Sequence, residues 1–140
     1  MLVHALLFLS VIPAVTSEFF SPGAGPRLIW KTGEVQEVRY KTSFVTYTIA
    51  LWQQNPGQGS AKLGPIIFQT TNGPNAKLTW LVQTYGMDLD SSNVFFLWLF
   101  EGDSSAQGNQ SAPGQFSSAY FNITTVNQFR VRRHKHKQRL

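Results

Sequence analysis

Between residues 18 and 125 no segment keeps an apolar period of 3.6 residues over three helical turns; apolar and polar residues alternate instead. Period two is the pattern of a strand with one buried face, so the chain is confined to β architectures before composition is considered. Residues 34–41 set Val38 and Tyr40 against Glu37, Arg39 and Lys41. Residues 44–52 place Val45, Tyr47, Ile49 and Leu51 on one face and Thr46, Thr48 and Ala50 on the other, which predicts a half-buried strand. Residues 77–85 set Leu78, Trp80 and Val82 against Thr79 and Gln83, and residues 63–70 are apolar around Ile66-Ile67-Phe68. Residues 93–101 are apolar on both faces, which predicts a central strand. Residues 115–125 send Ala119, Phe121 and Ile123 inward against Ser118, Tyr120 and Asn122.

Turn chemistry separates these runs: Asn55-Pro56-Gly57-Gln58-Gly59, Asn72-Gly73-Pro74-Asn75, residues 88–93 and residues 102–114. With a short edge strand at 27–30, about seven strands fall within roughly 100 residues, the count and spacing of an immunoglobulin-like antiparallel β-sandwich. An open barrel is the other arrangement of such strands. The chain has no cysteine, so aromatic packing must hold the two sheets together. Trp30, Trp52, Trp80 and Trp98 can each bury on the order of 150–250 Å².

Residues 2–15 are apolar except for His4, Ser10 and Pro13. The run is shorter than the roughly 20 residues that cross a bilayer, but it suits the apolar region of a secretory signal. Val15-Thr16-Ser17 supplies small or aliphatic residues for a cut between Ser17 and Glu18. The expected organisation is a signal peptide at 1–17, a β domain at 18–125 and a basic, disordered tail at 126–140, with no transmembrane anchor. Export gives meaning to two glycosylation sequons, Asn109-Gln110-Ser111 in a polar loop and Asn122-Ile123-Thr124 in a strand. Asn122 can carry a glycan only if it faces solvent.

The formal charge of +5 does not describe the domain. Six of the twelve Lys and Arg residues lie in the last eleven positions, and the other six face all seven acids, which leaves residues 1–129 at −1. Nucleic-acid binding is therefore not implied by the charge. Nor is catalysis: beyond the leader the domain has no His and no Cys, so Ser–His and Cys–His nucleophiles are excluded, and its acids are scattered over loops. The alternating oxygens of residues 88–93 lack the glycine and closing glutamate of an EF-hand loop and read as an Asx-turn. No metal and no cofactor are expected. Trp80 and Trp98 lie within strand patterns and are expected in the core, whereas Trp30 and Trp52, near strand ends, are the candidates for an exposed sugar-stacking platform; Tyr85 and Tyr120 are weaker ones. The tail Arg130-Val131-Arg132-Arg133-His134-Lys135-His136-Lys137 admits three readings: an anion-binding cluster, a convertase site cut after Arg133, or the end of a truncated reading frame.

Several segments in order carry a family likeness: Phe20-Ser21-Pro22, Trp30 with Gly33, Val38 with Tyr40, Tyr47-Thr48-Ile49-Ala50-Leu51-Trp52, Leu63 to Phe68, Trp80-Leu81-Val82, Ser92-Asn93-Val94-Phe95-Phe96-Leu97, and Phe116-Ser117-Ser118-Ala119-Tyr120-Phe121-Asn122-Ile123. Together, over residues 18–125, they resemble the fungal extracellular immunoglobulin-like domain found at the N-terminus of cell-wall β-glucan assembly proteins and of Ser/Thr-rich GPI-anchored wall proteins. The resemblance implies a non-catalytic β-sandwich exported to the wall or the medium, and it transfers no binding residues. After Thr125 the Ser/Thr-rich stalk and the hydrophobic GPI signal of that pattern are missing, which favours a freely secreted domain. The expectation is a secreted module of the cell wall or extracellular matrix that contacts wall polysaccharide or wall protein through loops and one sheet face. The alternatives are a secreted effector that binds a host protein through a sheet edge or the tail, and an intracellular nucleic-acid binder with its leader retained.

Overall fold

The computed structural model describes residues 16–109, 111 and 114–125; most of the predicted leader and the tail with its Arg133 site lie outside them. The strands are β1 (Glu18–Ser21), β2 (Ile29–Lys31), β3 (Val35–Lys41), β4 (Tyr47–Gln54), β5 (Ala61–Thr70), β6 (Lys77–Leu81), β7 (Val94–Glu101), β8 (Gln115–Ser117) and β9 (Phe121–Thr124). They form two sheets, one of order β1-β3-β6 and one of order β2-β9-β7-β4-β5, with β8 also paired to β7. The protein is all-β, and its two sheets face each other as a sandwich.

The inward faces make one core. Val38, Tyr40, Leu78 and Trp80 from the smaller sheet meet Ile49, Leu51, Phe95, Leu97, Leu99, Phe121 and Ile123 from the larger. Aromatic rings hold the layers together where a disulfide is absent. Trp30 meets Trp80 edge to face across the layers at 6.0 Å, and Tyr40 meets Tyr47 the same way at 5.9 Å. Pairs of this geometry add about 0.5–1.5 kcal/mol each beyond the area they bury.

The chain passes between sheets at turns whose backbone is tied down. Gly33, at φ +87, lets the β2–β3 turn reverse between layers, and its N–H donates to Val82 O while Thr32 N–H donates to Thr124 O. Fully buried Gln53 donates from Nε2 to the carbonyls of Asp88 and Ser92 and so fastens the long β6–β7 connection to β4.

The structure differs from the sequence expectation in four places. Among the described residues there are nine strands rather than about seven: β1 forms where residues 18–21 carry too short a pattern to register, and the expected single strand at 115–125 breaks into β8 and β9. The break follows from Ser118, whose N–H donates to Leu97 O and whose hydroxyl accepts from Leu97 N–H, so a side chain takes over one rung of the ladder. The larger sheet is mixed rather than antiparallel, because β2 lies parallel to β9 with Trp30 beside Ile123. Finally, β4 is buried on both faces, not one, because a second aromatic layer covers its outer side.

Candidate functional site

That second layer follows from strand parity. In β4 the residues Ala50 and Trp52 point away from the core, and antiparallel pairing sets them beside Trp98 and Phe96 of β7. The outer face of the larger sheet thus carries a cluster of Ala50, Trp52, Phe96 and Phe100, with Ala61, Trp98 and Ala106 packed against it. Trp52 stacks on Trp98 at 5.5 Å and on Phe96 at 6.1 Å, and Tyr120 meets Phe96 edge to face at 5.9 Å. The cluster is covered at one end by the β7–β8 connection, where Gln107 Nε2 donates to Gly64 O beside the short 3-10 turn Ser104–Ala106.

At its other end the cluster is open. A hollow of about 550 Å³ lies there, floored by Trp52, Phe96 and Trp98. The β4–β5 hairpin forms one wall with Gln54, Gly59 and Ser60, and the β8–β9 break forms the other with Ser117 to Tyr120. Among the described residues no Lys, Arg, Asp, Glu or His lines it. Its described lining therefore combines flat apolar rings with hydroxyl and amide groups and carries no formal charge. Trp52 Nε1–H is enclosed and has no hydrogen-bond partner among the described residues. A buried donor left unmet costs about 1–3 kcal/mol.

Each sequence-predicted site residue can now be placed. Trp30 is not a platform: it is 5% exposed and packed between Trp80 and Phe121, because its neighbours Ile29 and Lys31 take the outer face of a three-residue strand. Trp52 does belong to the hollow, though as a recessed floor residue, 8% exposed, rather than an open platform. Trp80 is in the core as expected. Trp98 is not; it faces outward and is only partly buried, since in a doubly apolar strand alternate residues serve opposite layers. Tyr85 is exposed and accepts a hydrogen bond from Trp80 Nε1, and Tyr120 rims the hollow.

Ser17 directly precedes β1, where its hydroxyl lies 3.2 Å from that of Thr42. Asn109 is exposed in its loop, with Oδ1 accepting from the N–H and hydroxyl of Ser111. Asn122 lies on the outer face of β9, half-buried. Asp88 closes its loop as an Asx-turn: Oδ2 accepts from Ser91 Oγ and Oδ1 from Asp90 N–H, which together hold its carboxyl below the usual range. Among the described residues no three His, Cys, Asp or Glu side chains gather as metal ligands. No helix there is long and apolar enough to cross a membrane.

Phe96 and Trp98 are the site residues that the sequence reading missed. Their signal was available in parity, because Trp52 shares a face with Thr48 and Ala50 rather than with Leu51. Comparison with known proteins adds no assignment: no family model matches the chain, and no curated protein matches it in sequence.

Proposed function

We propose that this chain is an exported, non-catalytic, immunoglobulin-like module of the fungal cell-wall type, and that its outer-face hollow binds a neutral polysaccharide. The observation that carries the reading is the hollow, uncharged among the described residues, floored by Trp52, Phe96 and Trp98 and walled by serine hydroxyls and Gln54. Pyranose rings offer apolar faces for stacking and hydroxyls for hydrogen bonds, and a neutral site gives no attraction to phosphates or nucleic acid. The strand order supports the immunoglobulin-like part, with opening strands that serve both sheets and a central β7–β4 pair. Export is supported by the position of the predicted cut, immediately before the first residue of β1.

The test is retention of the secreted protein on insoluble β-glucan and chitin, together with tryptophan fluorescence titration by soluble β-glucan oligosaccharides. Trp98→Ala removes a partly exposed floor ring and is expected to weaken binding about tenfold, the equivalent of one aromatic contact of about 1.4 kcal/mol. Absence of binding, or binding unchanged in Trp98→Ala, refutes the polysaccharide reading. Protein capture is the second reading, and β5 favours it: this ten-residue strand is an edge of the larger sheet and exposes Leu63.

A further inference from the structure

Beside the hollow, and meeting it at Tyr120, the outer face of the larger sheet carries an apolar strip around the Asn122 sequon. Parallel pairing puts Ile29 in register with Asn122, and antiparallel pairing puts Val94 opposite it on the other side. The partners Trp30, Ile123, Phe95 and Phe121 point into the core, so Ile29, Asn122 and Val94 share the outer face. Tyr120 lies two residues back along the same run, and the Arg27 guanidinium sits over its ring at 5.7 Å. Ile29 is 61% exposed and Tyr120 45%. An exposed isoleucine on the paired strand and an exposed tyrosine just before β9 form an apolar collar around one side-chain amide. Asn122 itself makes no side-chain hydrogen bond among the described residues.

We infer that Asn122 carries an N-linked glycan whose first sugar packs on Ile29, Val94 and Tyr120, so that the glycan is a structural part of the outer face. This rests on the export reading. Cross-strand neighbours have Cβ atoms about 4.5–5.5 Å apart, and residues two apart on a strand about 7 Å, so only the sugar bonded to Asn122 reaches all three side chains. The collar and the hollow share Tyr120 alone: Ile29, Val94 and Asn122 do not line the hollow. In the transfer, Asn122 Nδ2 bonds to the anomeric carbon of a lipid-pyrophosphate-linked oligosaccharide. The carbon–oxygen bond to the pyrophosphate breaks, the pyrophosphate leaves with the electron pair, and an amide proton passes to the transferase base. The sequon hydroxyl, Thr124 Oγ1, is enclosed and has no partner among the described residues. The transferase must read that hydroxyl, so modification precedes folding.

The experiment expresses the full chain in a eukaryotic secretory host and reads site occupancy by intact and peptide mass. The expected result is glycan at both Asn109 and Asn122. On an Asn109→Gln background, trimming with an endoglycosidase that leaves one N-acetylglucosamine should keep the melting temperature. Asn122→Gln should lower it by about 3–6 °C. The difference between Asn122 and Asn122→Gln proteins should vanish when Tyr120→Ala or Ile29→Ser is introduced; two collar variants are used in case one fails to fold. Occupied Asn109 with bare Asn122 overturns the inference and leaves the export reading standing, whereas neither site occupied overturns both. A glycan that adds no stability, or adds the same increment without the collar, also overturns it.

Discussion

Tyr40 of β3 and Tyr47 of β4 lie in opposite sheets, both fully buried, with their hydroxyls 2.6 Å apart. This is a polar contact sealed inside the apolar core, and it gives each sheet one group that only the other sheet can satisfy. Replacing Tyr40 with Phe leaves the Tyr47 hydroxyl buried with no partner, and Tyr47→Phe does the same to Tyr40. Each single change is expected to cost about 1–3 kcal/mol, since the remaining hydroxyl keeps its desolvation cost and loses its bond. The double change removes both groups and should cost less than either single one. With an m-value of about 1–2 kcal/mol/M in urea, a loss of 2 kcal/mol moves the unfolding midpoint down by roughly 1–2 M. Alkali provides a second measurement on the same pair. Burial, reinforced by the hydrogen bond to Tyr47, pushes the Tyr40 phenol far above its ordinary value. Below about pH 10 both folded and unfolded chains keep that proton and stability is unaffected. Above it the unfolded chain releases the proton while the folded one retains it, so stability falls by about 1.4 kcal/mol per pH unit, a slope that Tyr40→Phe should reduce. Single variants as stable as wild type, or a double variant whose loss equals the sum of the singles, would refute the argument.

Two further outcomes follow from the backbone and the loops. A Cβ at Gly64 would sit 1.9 Å from Leu51 O, a backbone atom with nowhere to go, so Gly64→Ala should cost about 2–4 kcal/mol in urea unfolding. Gly59→Ala, which meets nothing within 4 Å, should stay within about 0.5 kcal/mol of wild type. The Asp88 carboxyl is held below its ordinary value by Ser91 Oγ and Asp90 N–H. The closure of residues 88–91 should therefore be intact above about pH 4 and loosen as pH falls through the depressed value. Amide exchange at Asp90 and Ser91 measures this, and Asp88→Asn should remove the acid dependence.

What the sequence made legible follows from how local each signal is. Alternation in β3 and β6 placed Val38, Tyr40, Leu78 and Trp80 correctly, because one face of each strand is polar and period two is then unambiguous. In β7 the same rule had no purchase. A strand apolar on both faces announces that it is central but not which residues serve which layer, and so Trp98 read as core. Trp30 failed for lack of length, since three residues hold no period. The parallel union of β2 with β9 had no local signal of any kind. The outer hollow depended on the register of β4 against β7, a non-local quantity, although the parity of Trp52 pointed to the correct face.

Trp30 and Ile123, neighbours in the finished sheet, are separated by almost the whole length of the fold. An emerging chain therefore cannot complete its larger sheet until its last strand has been delivered, however early its first strands are available. Contacts of such high sequence separation slow folding and leave strand edges open in the interim. During synthesis β2 must wait without its β9 partner, an interval in which chaperones and modifying enzymes can reach residues that the native sandwich later encloses.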